Sequence, residues 1–93
     1  MKKKEEVPPS VRLAEALRIP AEVVGRFPEI TLTGNRTLMV ENHKGMVDCR
    51  EDLVRLNTGC GLLTVEGKEF DILTITDEVV VLTGQITGIR FGR

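Results

Sequence analysis

The residues best suited to chemistry lie in one short stretch, "ENHKG", which contains Glu41, Asn42, His43, Lys44 and Gly45. His43 is the only histidine in the chain. An imidazole oriented by a carboxylate can act as a general base when a nucleophile or a bound substrate lies within hydrogen-bond reach. Glu41 is the available carboxylate, but side chains two apart on a strand share a face without necessarily touching. The pattern alone therefore does not establish a catalytic base.

The same stretch is also typical of a turn. Asn42 tolerates left-handed backbone geometry and Gly45 takes positive φ at little steric cost, which favours a hairpin with solvated polar side chains. Binding residues often lie on loops held by a rigid framework, so the stretch is also a candidate partner-binding turn. Its members in that role are Glu41, Asn42, His43, Lys44 and Gly45.

The two cysteines, Cys49 and Cys60, follow no metal-ligand spacing, and one histidine is too few for an ordinary zinc site. Arg50 follows Cys49, but adjacent strand residues point to opposite faces, so nothing indicates an activated thiolate. We predict a small buried thiol at Cys49 and a loop thiol at Cys60. We expect no metal, no cofactor and no enzymatic activity; the alternative is a small enzyme that uses His43 and a cysteine.

The first third of the chain predicts a flexible charged arm over residues 1–9 and a helical leader over residues 10–27. Ser10 can cap a helix, and Pro20 suits the first position of a second short helical turn. The apolar positions fall on one face of this leader. They are Leu13, Ala16, Leu17, Val24 and Phe27.

The remaining residues, 29–93, alternate with period two and are punctuated by glycine and acidic turns. Apolar runs such as "ITLT", "LLTVE" and "VVVLT" predict about seven or eight short strands. Connections this short favour antiparallel neighbours. We therefore predict that residues 10–93 form a single, mainly β domain, a small antiparallel roll or sandwich with a short N-terminal helical element. A β-solenoid is the alternative.

Composition restricts the classes of partner. With 93 residues, no Trp or Tyr and a net charge of −1, the chain predicts one small aliphatic core and little attraction for nucleic acid. No apolar run is long enough to span a membrane, and "MKKKEEVPPS" lacks the apolar region of a secretory signal. We expect a cytoplasmic protein. A small core with several apolar strands favours a homo-oligomer or a protein partner that covers the strand edges.

Three segments, "RFPEITLTGNRTLMVENHKGMV", "GLLTVEGKEFDILTI" and "VVVLTGQITGIRF", occur in an order that resembles the YabP/YqfC family of sporulation proteins. The leader "LAEALRIPAEVV" is more similar to the YqfC branch. The resemblance implies a role in the mother cell during spore envelope or coat development, at or near a forming spore membrane. It also implies a protein partner, such as a membrane-anchored sporulation protein similar to YqfD, and it brings no catalytic residues.

Overall fold

The computed structural model describes residues 25–92, which form one six-stranded antiparallel sheet. The strands are β1 (Glu29–Thr33), β2 (Thr37–Glu41), β3 (Met46–Cys49), β4 (Leu53–Thr58), β5 (Gly61–Ile75) and β6 (Val79–Gly92). Their order across the sheet is β1-β2-β6-β5-β4-β3. The prediction of a mainly β, antiparallel domain is confirmed. The solenoid alternative is wrong for these residues, because no two strands in the described range pair in parallel.

The described residues form six strands rather than the predicted seven or eight, because two glycines expected to form turns lie within long strands instead. Gly67 lies in β5 and Gly84 in β6, where the register of the β5–β6 pair shifts near Gly67. A Cβ atom at Gly67 would overlap the backbone oxygen of Gln85. Glycine is therefore needed here for a close approach of two backbones at a bend, which is a known use of glycine in strands.

The bends let the two long strands contribute to two halves of the sheet. In the first half, the beginning of β6 lies between β2 and the end of β5; in the second, the beginning of β5 lies between β4 and the end of β6. Buried side chains from both halves form a single aliphatic cluster. Its members are Leu38, Val40, Val54, Leu56, Leu63, Val65, Val80, Leu82 and Ile86. The sheet is therefore folded into a roll.

Neighbouring turns extend the backbone pairing at each bend. The Gly84 N–H donates to the Arg36 carbonyl at 2.9 Å, on the turn between β1 and β2. On the other side, the Phe70 N–H donates to the Glu51 carbonyl at 2.9 Å, between β3 and β4. These bonds satisfy backbone groups that the register shifts would otherwise leave unpaired.

The predicted helical leader mostly lies outside the described residues, which include only its last positions. Gly25, Arg26 and Phe27 form a turn and a bend that lead into β1. Within residues 25–92 there is no helix of the length and apolar character needed to cross a membrane.

Candidate functional site

The "ENHKG" segment connects β2 to β3, and these two strands are not neighbours in the sheet. β2 pairs with β1 and β6, whereas β3 pairs with β4. The expectation of a hairpin turn is therefore wrong. The segment instead crosses from one half of the roll to the other, so its side chains can contact both halves.

His43 is buried, with 6% of its surface exposed, rather than solvated as expected for a hairpin tip. Its Nδ1 accepts a hydrogen bond from the Gly45 N–H at 2.9 Å, and its Nε2 lies 2.8 Å from the Thr76 carbonyl oxygen. A carbonyl can only accept, so Nε2 carries the proton and the ring is the neutral Nε2–H tautomer. Both ring nitrogens thus bind backbone groups, and neither is free to take a proton from a substrate.

Hydrogen bonds also fix the backbone of the "ENHKG" segment. The Asn42 N–H donates to the Glu78 carbonyl at 2.6 Å, on the turn between β5 and β6. The Lys44 N–H donates to the Asn57 carbonyl, and the Asn57 N–H donates to the Gly45 carbonyl, both at 2.7 Å. The segment therefore joins the end of β4 to the β5–β6 turn.

Asn42 also fixes the chain that precedes β1. Its Nδ2 donates to the Gly25 carbonyl at 2.9 Å and to the Phe27 carbonyl at 3.1 Å. Asn42 has φ of 67° and Gly45 has φ of 128°, so the predicted left-handed and positive-φ conformations are confirmed. These two residues provide backbone geometry that most side chains disfavour.

Glu41 and Lys44 are the charged members of the segment, and among residues 25–92 neither forms a salt bridge. Lys44 is exposed, while Glu41 is half-buried and lies opposite Glu29 in the β1–β2 pair. Like charges directly opposite each other on a sheet are destabilising. A cation close to Glu29 and Glu41 would therefore stabilise this pair of strands. The segment thus divides into a structural part, Asn42, His43 and Gly45, and a charged outer part.

Two open depressions flank the segment. One, of about 400 Å³, is lined by Gly25, Phe27, Glu29, Glu41, Asn42, Glu78 and Val79. The other, of about 700 Å³, lies between the segment and the β5–β6 turn. Its lining comprises Asn42, His43, Lys44, Gly45, Met46, Ile75, Thr76, Asp77 and Glu78. Across residues 25–92 no cluster of His, Cys, Asp and Glu side chains is suited to hold a metal ion.

The cysteines are both free and exposed. The prediction of a buried thiol at Cys49 is wrong, because Cys49 lies at the end of β3, an outer strand of the sheet. The prediction of a loop thiol at Cys60 is confirmed, and the Cys60 N–H donates to Thr58 Oγ1 at 3.2 Å. The structure does not bring either cysteine into a hydrogen bond with His43, whose two partners are backbone groups.

The segment has two structural partners that the sequence did not predict, Thr76 and Asn57. Both act through backbone groups, and Thr76 also caps its own turn by accepting at Oγ1 from the Val79 N–H at 2.9 Å. Asp77 and Glu78, in the turn between β5 and β6, have exposed acidic side chains, while the carbonyls of Thr76 and Glu78 in the same turn accept hydrogen bonds from the "ENHKG" segment.

Comparison with known proteins identifies relatives of this chain. The family model described as "YabP family" matches residues 26–93, a range that includes the "ENHKG" segment. The "Uncharacterized protein YqfC" of Bacillus subtilis (strain 168) is 37% identical over 79 residues, which is 85% of each chain. No solved structure matches the chain.

Proposed function

The chain belongs to the YabP/YqfC family, and we propose that it is a non-enzymatic sporulation protein that acts through protein–protein contacts. The family is associated with sporulation. We place the action in the mother cell, during development of the spore envelope or coat, and in the cytoplasm at or near the forming spore membrane.

The observation that carries this proposal is the location of the exposed large apolar side chains. In the described range they are Leu32, Val47, Leu73, Ile75 and Phe91. All five lie on strand segments with a free edge: β1, β3, the end of β5 and the end of β6. Free edges with apolar side chains favour pairing with another chain, so this distribution supports a protein that works by binding proteins.

The hydrogen bonds of His43 argue against the competing hypothesis of a small enzyme that uses His43 and a cysteine. A general base needs a free lone pair, and His43 uses Nδ1 to accept from Gly45 while Nε2 donates to Thr76. The thiols of Cys49 and Cys60 are exposed, and neither forms a hydrogen bond with the imidazole of His43. The geometry therefore favours a structural role for His43.

For partners, we propose a membrane-anchored sporulation protein similar to YqfD and, in addition, self-association into a homo-oligomer. Free apolar edges support both. Within the candidate partner-binding turn we assign recognition to Glu41 and Lys44. Asn42, His43 and Gly45 hold these two charges in place.

Affinity capture from sporulating cells tests this proposal, with two matched charge exchanges. The test protein carries Glu41→Lys with Lys44→Glu; the control carries Glu66→Arg with Arg90→Glu, which reverses an exposed ion pair of 2.7 Å elsewhere on the roll. Both exchanges leave the net charge of the chain unchanged. We expect the parent and the control to capture the same protein partner, and the test protein to lose it.

Three results would contradict the proposal. Capture of nucleic acid without protein would indicate a different class of partner. Equal loss of the partner in both charge exchanges would remove the assignment to Glu41 and Lys44. A Cys49→Ser or Cys60→Ser protein that keeps its stability and its partner but no longer supports sporulation would favour the enzyme alternative.

A further inference from the structure

The outer strand β1 differs from the other strand segments that have a free edge in residues 25–92. β3 and the end of β5 both carry register shifts against their neighbours, and the end of β6 carries the exposed Arg90 at its centre. Bulges and charged side chains protect a free edge from pairing with another chain. All five residues of β1, Glu29–Thr33, instead pair with β2 in unbroken register, and only the first is charged. β1 is therefore the least protected edge of the described sheet.

The backbone of β1 offers hydrogen-bonding groups at its outer side. The Arg36 N–H donates to the Thr33 carbonyl at 3.2 Å in the turn between β1 and β2, so the Thr33 carbonyl faces β2. Backbone groups of an antiparallel strand alternate between its two sides, so those of Thr31 also face β2, and those of Ile30 and Leu32 face outward. Within the described range no strand or loop bonds to them. Another strand can therefore pair with Ile30 and Leu32.

The side chains of Ile30 and Leu32 lie on the face of the sheet that holds the core. Ile30 is paired with Val40 and Leu32 with Leu38, and both of these partners are fully buried. Leu32 itself is 47% exposed, since none of the described strands lies beyond it. An added strand with apolar side chains on the same face would cover Leu32 and extend the core. The complement of β1 is therefore a strand in which apolar and polar residues alternate, as they do in β1.

The charges at the two ends of β1 are opposite in sign. The beginning of the strand is acidic, because Glu29 lies opposite Glu41 in the β1–β2 pair. The end of the strand leads into the turn that contains the exposed Arg36. Antiparallel pairing of two β1 strands would place the acidic beginning of each beside the basic turn of the other, whereas parallel pairing would place Glu29 beside Glu29. Charge complementarity thus favours a second copy in the antiparallel direction.

We propose that β1 pairs with β1 of a second copy of this chain, antiparallel and around a two-fold axis at Thr31. Ile30 of each copy then lies opposite Leu32 of the other, and Glu29 lies opposite Thr33. The two six-stranded sheets form one continuous sheet with a shared apolar face. A two-fold interface requires a self-complementary surface, and β1 provides one. The proposal rests on the self-association in the proposed function and names its surface, but it does not depend on the sporulation role.

Sedimentation of the full chain over a range of concentrations tests the backbone part of the interface. Leu32→Pro removes an outward N–H and no bond to β2, and proline is tolerated at such a position. Leu32→Ser keeps the N–H and loses only the side chain. We expect the dissociation constant of the dimer to rise about tenfold or more in Leu32→Ser and further in Leu32→Pro. Leu73→Ser is the control, because Leu73 is 58% exposed on another free edge, and it should leave the constant unchanged.

Charge reversal tests the direction of pairing without removing any backbone group. Glu29→Arg and Arg36→Glu, each alone, place like charges together at both ends of the interface and should weaken the dimer about threefold or more. An equimolar mixture of the two variant proteins should form a heterodimer as stable as the parent dimer, because each contact then joins opposite charges. No rescue by mixing would overturn the antiparallel arrangement.

Hydrogen exchange identifies the occupant of the edge. In the parent protein the Ile30 and Leu32 amides should gain protection as the dimer forms, while the Thr31 amide, bonded to β2, should be protected at every concentration. Protection of Ile30 and Leu32 in a monomer would mean that the chain covers its own edge, which overturns the proposal. Protection only after addition of a captured protein partner would overturn it too, and would leave the proposed protein contacts intact.

Two results separate a failure of this interface from a failure of self-association. A parent that stays monomeric at high concentration would overturn both, whereas capture of a protein partner would still support the rest of the proposed function. A dimer that is equally stable in the parent, Leu32→Pro and both charge variants would show that self-association uses another surface. That outcome would overturn the β1 interface alone.

Discussion

The imidazole of His43 and the carbonyl of Thr76, 33 residues apart in the chain, are joined by a 2.8 Å hydrogen bond inside the roll. The bond ties the β2–β3 connection to the β5–β6 turn, while the same imidazole accepts from the Gly45 N–H. A residue that seemed suited to catalysis is thus part of the internal framework.

Replacing His43 should reduce the free energy of unfolding. His43→Ala leaves the Gly45 N–H and the Thr76 carbonyl without their side-chain partner in a partly buried site, which should cost about 1–3 kcal/mol. Lys44→Ala is the control, because Lys44 is exposed and its loss should cost less than about 0.5 kcal/mol. Urea unfolding measures the free energy of unfolding of the two variants. Equal values would show that the two hydrogen bonds of His43 contribute nothing to stability.

The tautomer of His43 is a separate prediction. Because the Thr76 carbonyl can only accept, the neutral ring should carry its proton on Nε2. Two-bond proton–nitrogen correlation spectra of ¹⁵N-labelled protein should assign Nδ1 as the unprotonated nitrogen. A proton found on Nδ1 would mean that Gly45 and Thr76 are not the partners of the ring.

Gly45 and Gly92 form a matched pair for testing backbone conformation. A Cβ atom at either position would meet nothing within 4 Å, but Gly45 has φ of 128°. Gly45→Ala should therefore lower the free energy of unfolding by about 1–2 kcal/mol through backbone strain alone. Gly92→Ala should leave it nearly unchanged. Similar unfolding midpoints for the two variants would argue against positive φ at Gly45.

Gly67 tests the bend of β5. Gly67→Ala places a methyl group against the Gln85 carbonyl and the Phe70 ring, so the bend must open or the strands must separate. We expect a loss of more than about 2 kcal/mol, since overpacking against backbone cannot relax easily. Gly88→Ala on β6 meets only the Glu66 carboxylate, at 3.5 Å, and should be tolerated. Calorimetry measures the melting temperatures of the two variants. A Gly67→Ala protein as stable as the parent would contradict the bend geometry.

Local sequence features are sufficient to predict the class of the domain and the conformation of several turn residues. Alternating apolar residues and short connections led to an antiparallel β domain, and residue type led to positive φ at Gly45 and tolerance of it at Asn42. These properties are local. They depend on side-chain alternation, steric freedom and residues adjacent in the chain, so a single sequence contains them.

Contacts between residues distant in the chain determine whether a glycine forms a turn or a bend, and which polar groups are buried. Gly67 and Gly34 look alike in the sequence, but Gly67 faces the backbone of Gln85 across the sheet whereas Gly34 has open space around it. His43 is buried because Thr76 reaches it, and Cys49 is exposed because β3 is an outer strand. Each outcome depends on a neighbour distant in the chain. A two-residue period determines the face on which a side chain lies, but it does not determine which strand or turn will cover that face.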